Sequence, residues 1–160
     1  IIDFKNTLIL LTTNAGTALI SRLCRHPQTS LPAPDTIAKA LREPLLDVFP
    51  PALLGRLVVI PYYPLSDAML GSIIRLQLGR IEKRIAEGHK IPFTFSEDVV
   101  ELIASRCTEL ESGGRMIDAI LTNSMLPAIS TEFLKRLLAG TPATCVAVTV
   151  EGGEFSYRFA

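Results

Sequence analysis

No part of this chain's composition supplies a surplus of one charge, since sixteen basic residues meet sixteen acidic ones. A balanced chain gives no bulk electrostatic footprint for nucleic acid, so no nucleic-acid partner is expected. No apolar run approaches the length of a membrane span, so direct membrane insertion is not expected either. Cysteine is scarce: Cys24, Cys107 and Cys145 are odd in number and far apart, which reads as free thiols in a reducing compartment. Cys24 and His26 lie close together, but His89 is the one further histidine, so no metal site is expected.

What remains is apolar: 48% of the residues are hydrophobic and 20% charged, the balance of a soluble globular chain of one domain or slightly more. Leu8 to Leu11 is an uninterrupted apolar run, too short for a helix and closed by Thr12, Thr13, Asn14 and Gly16. Such a run predicts a strand buried on both faces, as in a helix-covered parallel sheet. Ligands gather at the carboxyl ends of strands in these sheets, and Thr12, Thr13 and Asn14 can reach a phosphate or a water there. The plainer reading is a turn that merely ends the strand. Leu57-Val58-Val59-Ile60 offers a second buried strand. Two such strands leave an apolar sheet edge open, so the chain is read as part of a longer polypeptide, beginning inside a domain.

Between these runs a helical turn is expected over 17–23 and a surface loop over 24–34, where Pro27, Pro32 and Pro34 fall. Asp35 is placed to cap a helix carrying Ile37, Leu41, Leu45 and Val48, which Pro44 kinks or splits. Pro61-Tyr62-Tyr63-Pro64 reads as a linker, with a compact α+β unit of about ninety-five residues from Leu65. Ser66 and Asp67 suit a helix start, and Leu70, Ile74, Leu78, Ile81 and Ile85 hold one face. Ile91 to Phe95 reads as a strand, and Ser96 as the cap of a helix ending near Cys107, with Glu97 and Asp98 where its dipole favours acids. A third helix begins around Ser112-Gly113-Gly114-Arg115, and Pro127 bends or interrupts it before the pattern resumes over 129–138. Val146 to Phe159 alternates about Gly152-Gly153 as a hairpin.

Three polar side chains stand against this background: Asn14 at a strand end, Arg56 before a strand and Arg115 at a helix start. A cation at a helix N-terminus opposes the dipole unless an anion joins it. Taken singly, Arg115 could instead pair with Glu109, Glu111 or Asp118, and Arg56 with Asp47 or Glu43.

Together they have a family likeness. The order Thr12-Thr13-Asn14-Ala15-Gly16, then Phe49-Pro50-Pro51-Ala52-Leu53-Leu54-Gly55-Arg56, then Gly113-Gly114-Arg115 resembles the second ATPase ring of the Clp/Hsp100 AAA+ unfoldases. Asn123 and Pro127 also match the place where that family's third small-subdomain helix is interrupted. The segments Gly55-Arg56-Leu57-Val58-Val59 and Cys107 to Asp118 depart from the disaggregase pattern and look like the ClpV (TssH) subfamily of type VI secretion systems. The resemblance implies a fold class in two parts. Residues 1–62 would be the incomplete C-terminal half of an AAA+ large α/β subdomain. Residues 63–160 would be the small α+β subdomain, three main helices plus a short sheet with a C-terminal hairpin.

It also implies roles. Asn14 would be the sensor-1 residue that orients the attacking water, Arg115 the sensor-2 contact to the same subunit's nucleotide, and Arg56 the finger acting on the neighbouring subunit's. Pro61 to Pro64 would be the hinge through which nucleotide state sets the angle between the parts. The whole protein would be a homo-hexamer in the bacterial cytoplasm, using ATP and Mg2+ to extract and unfold subunits of a contracted type VI sheath. A ClpB-type disaggregase segment, or a non-catalytic assembly module whose arginines form interface salt bridges, are the alternatives.

No Gly-x-x-x-x-Gly-Lys-Ser/Thr occurs, so no loop cradles a β-phosphate, and no apolar strand ending in Asp-Glu supplies magnesium ligands. The chain by itself is therefore expected to bind no nucleotide or to bind it weakly, and to turn over none. Calorimetric titration with magnesium ATP checks this; micromolar affinity would mean that the helix bearing Ile73 and Ile74 holds adenine unaided.

Overall fold

The computed structural model describes residues 6–25, 31–107 and 113–160. The chain divides into two compact units, Ile1–Pro64 and Leu65–Ala160.

The first unit is helical throughout its regular parts, with α1 (Thr17–Leu23), α2 (Pro34–Ala40), α3 (Arg42–Leu46) and α4 (Pro51–Leu54). Its core is small: Ile37, Leu41 and Leu45 are buried, and Ala15, Leu19, Ile20, Leu54, Val59 and Tyr63 pack against them. Both strands expected here are corrected. Residues 8–11 and 57–60 form no strand among the described residues, and Leu8, Leu10, Val58 and Ile60 are 86, 79, 87 and 69% exposed. A strand exists only through a neighbour's hydrogen bonds, and no described residue offers 8–11 or 57–60 a ladder. The cap of α2 is also not Asp35. Ala33 is the N-cap and Pro34 opens the helix, a position where its missing N–H costs nothing, leaving Asp35 in the first turn. Pro44 does split the segment, since α2 and α3 meet at Leu41 and Pro44 lies within the first turn of α3. Of the 24–34 loop, residues 26–30 lie outside the described residues, as do Glu109, Glu111 and Ser112.

The second unit is built on α5 (Asp67–His89), β1 (Phe93–Phe95), α6 (Glu97–Arg106), α7 (Gly113–Ile120), α8 (Leu126–Leu138), β2 (Val146–Glu151) and β3 (Glu154–Phe159). Ser66 caps α5 by accepting from the Met69 amide at 3.3 Å, and Lys90 ends it in the left-handed conformation at φ 59°. The stripe Ile74, Leu78, Ile81 and Ile85 is buried. Ser96 is the N-cap of α6 by position, yet its hydroxyl is buried without a hydrogen-bond partner among the described residues.

Pro127 interrupts the third helix in a specific way. Residues Leu121–Met125 form a π-turn, in which the Leu126 amide donates to the Leu121 carbonyl, five residues back. Proline has no N–H for the carbonyl four residues before it, and the wider turn accommodates the ring.

The sheet runs in the order β1-β2-β3, with β1 parallel and β3 antiparallel to β2. Gly152 and Gly153, at φ 60° and 80°, make the two-residue hairpin turn that demands positive φ twice. Phe93, Val146 and Val148 share the face turned to the helices and are at most 2% exposed. Thr94, Ala147 and Arg158 stand on the other face. Ile74, Ile103, Ile117 and Met125 complete this core. Phe93→Ala should therefore destabilise the second unit by about 3–5 kcal/mol. With no tryptophan in the chain, far-UV circular dichroism in urea is the measurement; a loss below about 1 kcal/mol would contradict the described core.

Candidate functional site

Asn14 sits in a loop shaped by its own short side chains. The Ala15 amide donates to Thr13 Oγ1 at 3.1 Å, while the Thr17 amide and hydroxyl donate to the Asn14 carbonyl at 3.2 and 2.6 Å. The backbone of Asn14 is thus tied to the start of α1, and its exposed side-chain amide makes no hydrogen bond among the described residues. Gly16 fixes where this loop lies. Its φ is +80°, and a Cβ built there would come within 2.3 Å of Leu41 Cδ2. A side chain there would strain the positive-φ turn and displace the end of Leu41.

Arg56 is delivered by a proline-started turn. Pro50 caps α4 and Pro51 opens it, the Gly55 and Arg56 amides close onto Pro51 and Leu53 at 3.0 and 2.9 Å, and Leu54 anchors the turn to the core. Downstream, Val59 packs on the same core and the Tyr63 hydroxyl donates to the Pro32 carbonyl at 2.6 Å. Arg56 itself is exposed, with no ion pair among the described residues; neither Asp47 nor Glu43 reaches it. No hydrogen bond joins it to Asn14.

Arg115 belongs to the second unit, in the first turn of α7. Ile117, two residues on and fully buried, anchors the helix, while Arg115 is exposed and unpaired among the described residues; Asp118 does not pair with it. Nothing lies within 4 Å of a Cβ placed on Gly114, so packing does not demand glycine there. The arrangement leaves two guanidinium groups and one amide free, donors suited to phosphate oxygens.

Two features were not marked by any sequence motif. A cleft of about 350 Å³ in the first unit has Leu45, Leu54, Leu57 and Val59 for its apolar lining and Asp35, Lys39 and Arg42 among its polar lining. In the second unit, Arg75 pairs with Glu97, Arg106 with Glu154 at 2.8 Å, and Arg136 with Glu132 at 3.0 Å. The 35, 39 and 42 spacing was visible as one polar side of an amphipathic stretch; the longer-range pairs leave no local signal. Burial pushes the Cys107 thiol up, away from reactive thiolate. The Tyr157 phenol is likewise pushed up, chiefly by burial, with Arg106 opposing and Glu154 reinforcing. Among the described residues there is no cluster of metal-ligating side chains, and no helix is long and apolar enough to cross a membrane.

Comparison with known proteins places these features in context. The family described as the C-terminal, D2-small domain of ClpB protein matches residues 65–146. The AAA+ ATPase ClpV1 of Pseudomonas aeruginosa is 65% identical over 160 residues, all of this chain and 18% of that protein. The chaperone protein ClpB of Yersinia enterocolitica is 43% identical over 134 residues, and that of Meiothermus ruber 27% over 159. The chain thus spans less than a fifth of the length of these relatives, 18%, 15% and 18% in turn.

Because Arg56 and Arg115 carry no partner among the described residues, Arg56→Ala and Arg115→Ala should each change the chain's unfolding free energy by no more than about 0.5 kcal/mol. Urea unfolding of the three proteins checks this. A loss above about 1 kcal/mol would make the residue a structural ion-pair member after all.

Proposed function

Since the chain belongs to the family of the C-terminal, D2-small domain of ClpB protein, we propose that it is the carboxyl-terminal part of the second ATPase module of a ClpV-like Clp/Hsp100 machine. In this reading residues 1–62 are the end of the large AAA+ subdomain and residues 63–160 are the small one. The observation that carries it is the freedom of three donors: the Asn14 amide, Arg56 and Arg115 are exposed and tied to no protein group among the described residues. Unpaired donors held on anchored turns are what phosphoryl transfer asks of a protein, because its catalysis is mostly positioning and charge stabilisation.

Asn14, with its backbone fixed by Thr17 and Gly16, turns its amide to the γ-phosphate and the attacking water. Arg115 brings positive charge to the same nucleotide from the small subdomain. Arg56 completes the site of the next subunit in a homo-hexamer. No magnesium ligand is assigned to this chain; ATP and Mg2+ would be held mainly by the remainder of the module. The work done is unfolding and recycling of contracted type VI sheath in the bacterial cytoplasm. A second reading, an assembly module, is favoured by the exposed Leu134, Leu137 and Leu138 at the end of α8, which are 62, 70 and 89% accessible.

The two readings separate in the full-length protein. Arg56→Ala should leave ATP binding nearly intact and cut turnover roughly a thousandfold. Arg115→Ala should weaken nucleotide binding as well. Rings mixed from Arg56→Ala subunits and subunits lacking the phosphate-loop lysine should regain partial activity absent from either alone. Normal turnover by Arg56→Ala hexamers rules out the finger; loss of hexamers without loss of nucleotide binding favours the assembly module.

A further inference from the structure

The order of the sheet leaves the outer side of β3 without a strand among the described residues. Which groups face outward follows from the ladder. Cys145 and Ala160 exchange both backbone hydrogen bonds, so Val146–Phe159, Val148–Tyr157 and Val150–Phe155 are the alternate pairs that bond away from each other. The β2 side obeys this: the Val146 amide donates to Pro92 and the Val148 carbonyl accepts from Ser96, both toward β1. On β3, the amides and carbonyls of Phe155, Tyr157 and Phe159 therefore point outward. Such a row is a template for another strand.

One of these groups is taken. Arg136, on α8, donates from Nη2 to the Phe159 carbonyl at 3.1 Å, and its Nε donates to Glu132 at 3.0 Å. Its guanidinium carbon also lies 5.4 Å from the centre of the Phe159 ring. At the far end Arg106 donates to the Gly153 carbonyl at 2.9 Å and lies over the Phe155 ring. Between them, a cleft of about 450 Å³ lined by Ala128, Glu132 and Tyr157 runs beside the edge. The strand is thus held at both ends and open at Tyr157.

We propose that Arg136 guards this edge, and that the strand it excludes is β3 of a second copy of this chain. Two copies related by a twofold axis through Tyr157 would set each Phe159 against the other's Phe155, an isologous antiparallel ribbon. That register needs the Phe159 carbonyl of both copies. Arg136 occupies it in each copy, so neither end of the ribbon can close while its guanidinium stays there. Charged side chains on an edge are a general defence against such pairing.

The test uses the 160-residue chain with Arg136→Met, which keeps an apolar stem over Phe159 and removes the donor. Exchange rates of the Phe155, Tyr157 and Phe159 amides are followed as concentration rises, beside sedimentation. In the parent these amides should exchange quickly at every concentration. In the variant they should slow by about tenfold or more as a dimer forms. Adding Tyr157→Pro, which removes an outward N–H and no ladder bond, should restore the parent's behaviour. Glu132→Gln, which only unseats the guanidinium, should move in the same direction and stands in if Arg136→Met fails to fold. Folded variants whose β3 amides exchange as in the parent, or a dimer that persists with Tyr157→Pro, would overturn the proposal.

Discussion

The second unit depends on β2 being bonded on both sides. Val146 and Val148 turn their backbone groups to β1 while Ala147 and Thr149 pair with β3, and the valine side chains, 1 and 0% exposed, face the helices. A strand hydrogen-bonded along both edges can be buried deeply without orphaned amides. Around that row Phe93, Ile103, Ile117 and Met125 close the core. α5 and α6 lie against this sheet, and α7 packs on both of them. The surface carrying Arg115 inherits its placement from Ile117 in the same way.

The first unit lacks such a row and relies on a tight backbone approach. Three buried residues make its centre, and Gly16 against Leu41 is where the Asn14 loop is pinned to it. Apolar area that a sheet would cover is left in water at 7–11 and 57–60, so the local geometry of Asn14 and Arg56 rests on turn chemistry: a hydroxyl-bonded loop for one and two consecutive prolines for the other. Short-range restraints of that kind hold a side chain in place even where little core surrounds it.

The same contrast explains what the sequence made legible. The stripe of α5, the Ser66 cap and the Gly152-Gly153 hairpin could be read directly, because each is enforced by residues within one or two turns of itself. Leu8 to Leu11 and Leu57 to Ile60 were read as strands buried on both faces and are neither paired nor buried so, since pairing is a property of a neighbour and not of the run. The cap was misplaced by two residues, Asp35 for Ala33, because Pro34 can itself open a helix. Parallel pairing of β1 with β2 spans more than fifty residues and has no local signature. Of the site, the identity of Asn14, Arg56 and Arg115 was visible only through their order along the chain. Their freedom from Glu43, Asp47 and Asp118 could come only from coordinates.

The π-turn before Pro127 has a consequence in angle. Ile117, Leu121, Met125 and Ile129 are all buried, at a constant spacing of four. In a regular helix each step of four overshoots a full turn by about 40°, so the last of them would stand about 120° away from the first. The wide turn absorbs one residue, and eleven residues' worth of rotation returns to within about 20° of the start. Four side chains then share a narrow core face, where a straight helix would spread them over about 120°. The turn is a phase correction, kept in register by Pro127 on one side and by the buried stripe on both. Winding it out into a regular helix while Ile129 stayed in the core would swing Arg115 by about 100° around the helix axis. The direction in which that arginine faces is therefore set by a backbone irregularity several residues away.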